Sequence, residues 1–259
     1  DNDQVIWSGG VGGMTALVRE GDATGLPGGE TFGVFNNASL SSNANGTLAF
    51  FCSLRDAAGV PLPSTDDSAM MIGTPGNWTE LCREGQVISA IPPSVNGPWV
   101  CRSVTGSPNL NNRGQLLFNQ SCTDGVDTLT HFLCYTPGLG LQVVQNASAS
   151  YTTTLGTGMA TTSVSYAGSQ GNSDNGALWF NHAGDFTFRQ SLDNGLQAAI
   201  VRGHCGNLYG TPASIDGTTG GTHTFTINGG AAGANSIYAI LGSESGTRPG
   251  TVLPPFGAL

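Results

Sequence analysis

Lysine is missing from this chain altogether. All eight basic residues are arginines, set against 17 acidic residues, for a net charge of -9 over 259 residues. Charged side chains make up 10% of the sequence, against about 25% in an ordinary soluble domain. The arginines are scattered, so there is no basic patch to displace counterions from a phosphate backbone, and nucleic acid is not an expected partner. Heptads and long amphipathic helical patterns are also missing. No apolar run approaches the length of about 18 residues that a membrane-spanning helix needs. The six cysteines (Cys52, Cys82, Cys101, Cys122, Cys134, Cys205) contain no Cys-x-x-Cys pair, so zinc-type spacing is absent. An even cysteine count without that spacing points to disulfides in an oxidising compartment. The chain opens Asp1-Asn2-Asp3-Gln4, as a mature product does after signal-peptide removal, and the expected location is extracellular or at the cell surface.

What is abundant is glycine, with 40 residues, alongside Ser, Thr and Asn. That composition suits many short strands joined by many turns. One frame recurs: residues 43–50 (Asn-Ala-Asn-Gly-Thr-Leu-Ala-Phe), 111–118 (Asn-Asn-Arg-Gly-Gln-Leu-Leu-Phe) and 181–188 (Asn-His-Ala-Gly-Asp-Phe-Thr-Phe), at offsets of 68 and 70. It reads as strand, tight turn, strand. Asn at the first turn position bonds the backbone two residues on, and Gly at the fourth takes the left-handed conformation without steric cost. A second hairpin type alternates with it: Thr74-Pro75-Gly76 between residues 70–73 and 79–85, then Thr136-Pro137-Gly138 between residues 132–135 and 141–144. A worn copy spans residues 196–209, and a related N-terminal hairpin joins residues 5–9 to 15–21.

Two alternating hairpins make four antiparallel strands per unit of about 65 residues. The expected fold is all-β, a single four-bladed β-propeller over residues 1–259, with a β-solenoid as the competing architecture. Blade two is expected over residues 34–84, blade three over 107–145 and blade four over 177–209. Residues 5–21 pair with residues 223–242 as a composite blade that closes the ring and hides the sheet edges. Residues 146–176 are expected as a surface excursion. Residues 247–259 form an apolar, Pro-rich tail. Exposed apolar chain is unfavourable in water unless it docks, so Val252, Leu253, Pro254, Pro255, Phe256 and Leu259 are candidate subunit contacts.

The Asn-x-x-Gly frames, with the Gly-Thr-Pro-Gly and Arg-Glu-Gly segments, resemble bacterial exported tandem-repeat proteins named for an Asn-x-x-Gly-x-x-Ala-Phe motif. Only the first copy keeps Ala-Phe. The resemblance implies a secreted or cell-surface repeat protein and supplies no reaction.

Chemistry-bearing patterns are sparse. His131, His182, His204 and His223 fall in different units, and neither His-Glu-x-x-His nor Gly-x-Ser-x-Gly occurs; residues 242–246 carry Glu244 at the nucleophile position. Asp66-Asp67, Asp124 with Asp127, and Asp174 lie in turn-rich stretches. No cofactor is expected; Ca²⁺ is the one cation such oxygen-rich loops would take, although no spaced Asp-x-Asp-x-Asp loop is present. Trp7 and Trp179 lie in apolar strand runs and read as core. Trp99 reads either way, and Trp78, in a hairpin, is the candidate ligand contact. Cys122 with Cys134 is the candidate cross-hairpin disulfide, and Cys82 with Cys101 a candidate bridge between blades. Five Asn-x-Ser/Thr sequons (Asn37, Asn45, Asn77, Asn119, Asn146) matter only where exported proteins are glycosylated. The functional expectation is a non-enzymatic, self-assembling extracellular structural protein, a filament or surface-layer subunit whose partner is itself. The alternative is a glycan-binding propeller.

Overall fold

A computed structural model describes residues 4–102, 108–145, 150–153, 156–165, 180–182, 184–192, 199–205, 208–211 and 224–227. Among these residues the chain is all-β, with antiparallel strands and no helix. Hairpin β1 (Val5–Gly10) and β2 (Gly13–Arg19) comes first. A four-stranded meander follows: β3 (Thr31–Ser42), β4 (Leu48–Arg55), β5 (Ser68–Thr74) and β6 (Asn77–Arg83). The next sheet is built from β7 (Val100–Cys101), β8 (Asn109–Leu110), β9 (Leu116–Thr123), β10 (Thr128–Thr136) and β11 (Gly140–Gln145). Its order is β11-β10-β9-β7, and β8 pairs with β9 further along. A third sheet runs β12 (Ser150–Thr153), β13 (Gly156–Ser165), β14 (Asp185–Leu192) and β15 (Ala199–His204); β16 (Leu208–Thr211) and β17 (Thr224–Ile227) form a separate hairpin.

Side-chain alternation explains how these sheets pack. Along β4, Leu48, Phe50, Cys52 and Leu54 point to one face, where they meet Phe32, Phe35, Met71 and Val18. Ala49 and Phe51 point to the other, against Ile88, Trp99, Leu116, Phe118 and Leu133. The same period of two divides β9 and β10: Leu116, Phe118, Cys122 and Leu133 join that second core, while Leu117, Phe132 and Cys134 face a third with Phe180, Phe186 and Cys205. Sheets buried on both faces need near-continuous apolar runs, which is what residues 48–52 and 116–118 supply. The N-terminal hairpin, the β3–β6 sheet, the β7–β11 sheet and the β14 region are therefore packed face to face in chain order.

Two expectations are corrected here. Residues 150–165, expected in a surface excursion, contribute β12 and β13, and β13 pairs with β14. The worn hairpin of residues 196–209 is not one: β16 pairs with β17, Leu208 opposite Ile227, rather than with β15. Residues 236–241 and 247–259 lie outside the described residues.

Candidate functional site

The repeated Asn-x-x-Gly frames come together. Each begins with Asn (43, 111, 181) whose carbonyl accepts the N–H of the Gly three residues on, at 3.1, 3.0 and 3.0 Å. Gly46, Gly114 and Gly184 have φ of 78°, 75° and 94°, the left-handed region that excludes most side chains. At Gly184 a Cβ would also fall 2.4 Å from the Cys205 carbonyl oxygen. The Asn Oδ1 accepts two backbone N–H groups in the first two copies: Asn45 and Thr47 on Asn43 (both 3.0 Å), Arg113 and Gln115 on Asn111 (2.9 and 3.0 Å). In the third, Asp185 donates to Asn181 at 2.9 Å.

The other end of each amide ties one turn to the next. Asn43 Nδ2 donates to the Asn111 carbonyl at 3.0 Å, and Asn111 Nδ2 to the Asn181 carbonyl at 3.0 Å. Flanking bonds reinforce the first step: Ala44 N–H to Asn112 Oδ1 at 3.0 Å, and Asn45 Nδ2 to the Asn112 carbonyl at 2.7 Å. At the second step the Asn112 N–H donates to His182 Nδ1 at 3.3 Å, and Gln115 Nε2 donates to the Cys205 carbonyl. The result is a polar ladder through three sheets, with Asn111 and Gln115 buried in its middle rung. The motif was legible in sequence; that its copies touch was not.

A second constellation is a group of thiols. Cys82, Cys101 and Cys122 are buried in the core between the β3–β6 and β7–β11 sheets. Cys101 stands directly opposite Cys122 across β7 and β9. The Cys82 thiol is in hydrogen-bond contact with Cys101, and that contact and burial push it up; it also lies 3.6 Å from Gln120 Oε1. Burial likewise pushes the Cys122 and Cys52 thiols up. The fourth partner arrangement corrects an expectation. Cys134 bonds to Cys205, with Cα atoms 6.0 Å apart, and not to Cys122. In the β9–β10 ladder Cys122 faces Leu129 and Cys134 faces Leu117, and the two side chains enter different cores. Cys82 and Cys101, expected as a bridge between blades, stand as free thiols in the same core, as does Cys52 in the neighbouring one.

The aromatic residues rearrange the sequence picture. Trp7, read as core, is 50% exposed on the N-terminal hairpin. Trp99 is fully buried, edge-on to His131 with ring centroids 4.5 Å apart. Trp78 is half-buried, its ring edge-on to Phe32 and Phe50 at 5.8 and 5.2 Å. Burial lowers His131 to about 4, so it is neutral at pH 7. His182 lies in the ladder and His204 Nδ1 sits 3.1 Å from Asp185 Oδ1. Trp179, His223, Asp174 and the candidate contact residues 252–259 are outside the described residues.

Among the described residues, several carboxylates hold elements together. Glu20 pairs with Arg55, and Arg83 bridges Glu30 and Glu80 at 3.0 and 2.6 Å. Asp124 clamps two loop tips: Ser94 Oγ and Asn96 Nδ2 donate to its Oδ2, and the N–H groups of Val126 and Asp127 donate to its Oδ1 at 3.0 and 2.7 Å. Those bonds, the Ser94 hydroxyl first, hold its carboxyl well below the usual range. Among the described residues no three His, Cys, Asp or Glu side chains converge as a metal site, and no helix is long and apolar enough to cross a membrane.

Together these features define an all-β protein whose antiparallel sheets are joined through stacked asparagine turns. The chain belongs to a family of unknown function (DUF7453), whose family profile matches residues 1–198. No curated protein and no solved structure matches it.

Proposed function

We propose that this protein is a non-enzymatic extracellular structural subunit that associates with copies of itself, folded as a four-bladed propeller closed by residues 5–21 with residues 223–242. The ladder supports the propeller: three turns at like positions in successive sheets converge on one line, as the inner turns of blades do. It is also compatible with a solenoid, and the closing strands decide between the two. The resemblance to exported Asn-x-x-Gly-x-x-Ala-Phe repeat proteins and the Cys134–Cys205 disulfide support the location, since disulfides persist in oxidising compartments.

One observation carries the self-association reading. Val95 and Val126 are 102% and 74% exposed on neighbouring loop tips that Asp124 holds together. A rigid apolar pair at positions where charge is usual is a preorganised contact rather than a solvated edge, on a chain with few charges to keep copies apart. The apolar tail, with Val252, Leu253, Pro254, Pro255, Phe256 and Leu259, is the proposed opposite side. A head-to-tail contact that does not close generates a fibre. Electron microscopy of the full chain and of a chain lacking residues 247–259 tests this: ordered fibres or sheets are expected from the first and monomers from the second. Discrete monomers of the full chain at high concentration refute it. Glycan binding is the second reading, favoured by the half-exposed ring of Trp7, an aromatic face on which a sugar can stack; binding that survives tail deletion but not Trp7→Ala supports it.

A further inference from the structure

Cys101 and Cys122, 1% and 0% exposed, share the core between the β3–β6 and β7–β11 sheets. They are direct partners in the β7–β9 ladder, and the surrounding hydrogen bonds fix what kind of partners. Arg102 N–H donates to the Ser121 carbonyl at 2.9 Å, so the neighbouring Cys101/Cys122 pair is a non-hydrogen-bonded one. The far side of β7 agrees. Cys101 N–H donates to the Gln86 carbonyl at 2.8 Å, and its carbonyl accepts the Gly85 N–H at 2.9 Å, so both groups are directed away from β9. At such a pair the Cα atoms stand about 4.5 Å apart and the side chains come closest. A disulfide spans Cα separations of about 4.4–6.8 Å. The two sulfurs are free thiols here, donating to the carbonyls of Arg102 at 3.1 Å and Gln120 at 3.7 Å. Closing a bond between them asks for side-chain rotation rather than movement of the strands.

Cys82, the third thiol of this core, has a different task. It lies on β6, opposite Met70 in the other sheet, so no ladder sets its distance from Cys101 or Cys122. Its thiol donates to Gln120 Oε1 at 3.6 Å. Gln120 is 0% exposed, and its Nε2 donates to the carbonyls of Arg102 and Ser121 at 3.0 and 2.9 Å. Oxidising Cys82 would take a donor from this buried amide, and buried polar groups are costly to leave short of partners. Joining Cys101 to Cys122 leaves that donor in place, and the Arg102 carbonyl keeps Gln120 Nε2.

We propose that Cys101 and Cys122 are a modification site, oxidised to a cross-strand disulfide by a low-molecular-weight disulfide while Cys82 stays a thiol. One cysteine thiolate attacks the S–S bond of the reagent, forming a mixed disulfide and releasing one reagent thiol. The other then attacks the protein sulfur of that mixed disulfide, closing Cys101–Cys122 and releasing the second. The reagent gains two electrons, the two cysteines lose them, and both protons leave with the reagent thiols. Because both sulfurs are buried once β7 is docked, the reaction proceeds while β7 is open. The bond fastens a strap, residues 85–101, which leaves β6 and folds back with Val87 bridging Val100 and Ile88 N–H donating to the Trp99 carbonyl at 2.9 Å. Its attachment through β7 is two residues long, and Asp124 holds its tip through Ser94 and Asn96. With the root bonded as well, Val95 is displayed on a segment held at both ends. That consequence for assembly rests on the self-association reading; the bond itself does not, and it is read equally in monomers and polymers.

Cleavage after Arg and before Asp separates the cysteines: Cys52 falls in peptide 22–55, Cys82 in 67–83, Cys101 in 84–102, Cys122 in 114–123, Cys134 in 127–173 and Cys205 in 203–215. The full-length chain is incubated with oxidised glutathione in urea below its unfolding transition, where local opening exposes short strands first. It is then unfolded with N-ethylmaleimide, digested with trypsin and endoproteinase Asp-N, and analysed by mass spectrometry without reduction. Peptides 84–102 and 114–123 are expected joined, two hydrogens lighter than their sum, with Cys82 alkylated in 67–83. Cys82→Ser should leave that link unchanged. Alkylation of both Cys101 and Cys122 in the wild-type chain at the end of the incubation overturns the proposal. A link from either of them to 67–83 or to 127–173 overturns it too, since the ladder would then not choose the pair.

Discussion

Asn111 offers the sharpest perturbation of the ladder. Its side chain is 2% exposed and makes four hydrogen bonds: Oδ1 accepts the N–H groups of Arg113 and Gln115, and Nδ2 donates to the Asn181 carbonyl and to Gln115 Oε1 at 3.0 and 2.8 Å. In Asn111→Ala the Gln115 N–H loses its partner in a place water reaches poorly, while the Asn181 carbonyl keeps the Gly184 N–H on an exposed residue. An orphaned buried polar group costs about 1–3 kcal/mol, so this one, with lesser losses at Arg113, Gln115 Oε1 and the Asn181 carbonyl, predicts a loss of about 2–4 kcal/mol. Asn45→Ala is the control. Asn45 is exposed and its Nδ2 bond to Asn112 can be replaced by water, so about 0.5–1 kcal/mol is expected. Urea unfolding followed by tryptophan fluorescence measures both, with comparable m-values required for the comparison. Equal midpoints for Asn111→Ala and Asn45→Ala would refute the view that the middle rung holds the sheets together.

Two further predictions concern stability. His131 has a folded pKa of about 4 because burial disfavours its charge, against about 6.5 in an unfolded chain. Below about pH 6.5 only the unfolded chain takes up the proton, so stability should fall as pH drops from about 6.5 toward 4, by up to about 3 kcal/mol. His131→Phe should lose that component when urea midpoints are compared across this range, and an unchanged pH slope would show that His131 does not carry it. Cys134→Ser opens a disulfide with a sequence separation of 71, for which loop-closure reasoning gives a loss of about 4 kcal/mol. Calorimetry of the wild type should show a matching fall in Tm on reduction, and a reductant-insensitive melt would refute the staple.

Much of the architecture was legible because its signals are local. An Asn that accepts its own downstream N–H groups and a Gly that must be left-handed announce a turn wherever they stand, and the continuous apolar runs around Phe50 and Phe118 announce strands buried on both faces. The missed strands failed for the opposite reason. Residues 150–165 carry Thr and Ser with only Tyr151, Leu155, Met159 and Val164 as large apolar side chains, so no alternation marks them, although β-branched Thr suits a strand. The Cys122–Cys134 expectation failed on register. Both cysteines flank one turn, but β9 and β10 pair Cys122 with Leu129, and the side on which each sulfur emerges follows from that pairing and not from spacing. Trp7 illustrates a third limit: an apolar run fixes a strand, while which of its faces is covered depends on elements far along the chain.

The ladder also has a direction. Each Asn donates through Nδ2 to the carbonyl of the next Asn turn, from 43 to 111 to 181. Among the described residues the two ends turn inward: the Asn43 carbonyl takes its own Gly46 N–H, and Asn181 Nδ2 reaches Asp185 Oδ2 within its own turn at 3.3 Å. A directional array of like units has a free acceptor at one end and a donor that can be redirected at the other. A carbonyl has two lone pairs, so the Asn43 oxygen can accept a second donor without giving up its turn. In Asp185 the third copy carries an acidic residue where the second has Gln115, whose amide reaches onward to Cys205. That exchange substitutes an internal carboxylate partner for a bond to a following unit. Among the described residues, then, the second rung reaches onward through both Asn111 and Gln115, whereas the third turns its asparagine amide back onto Asp185.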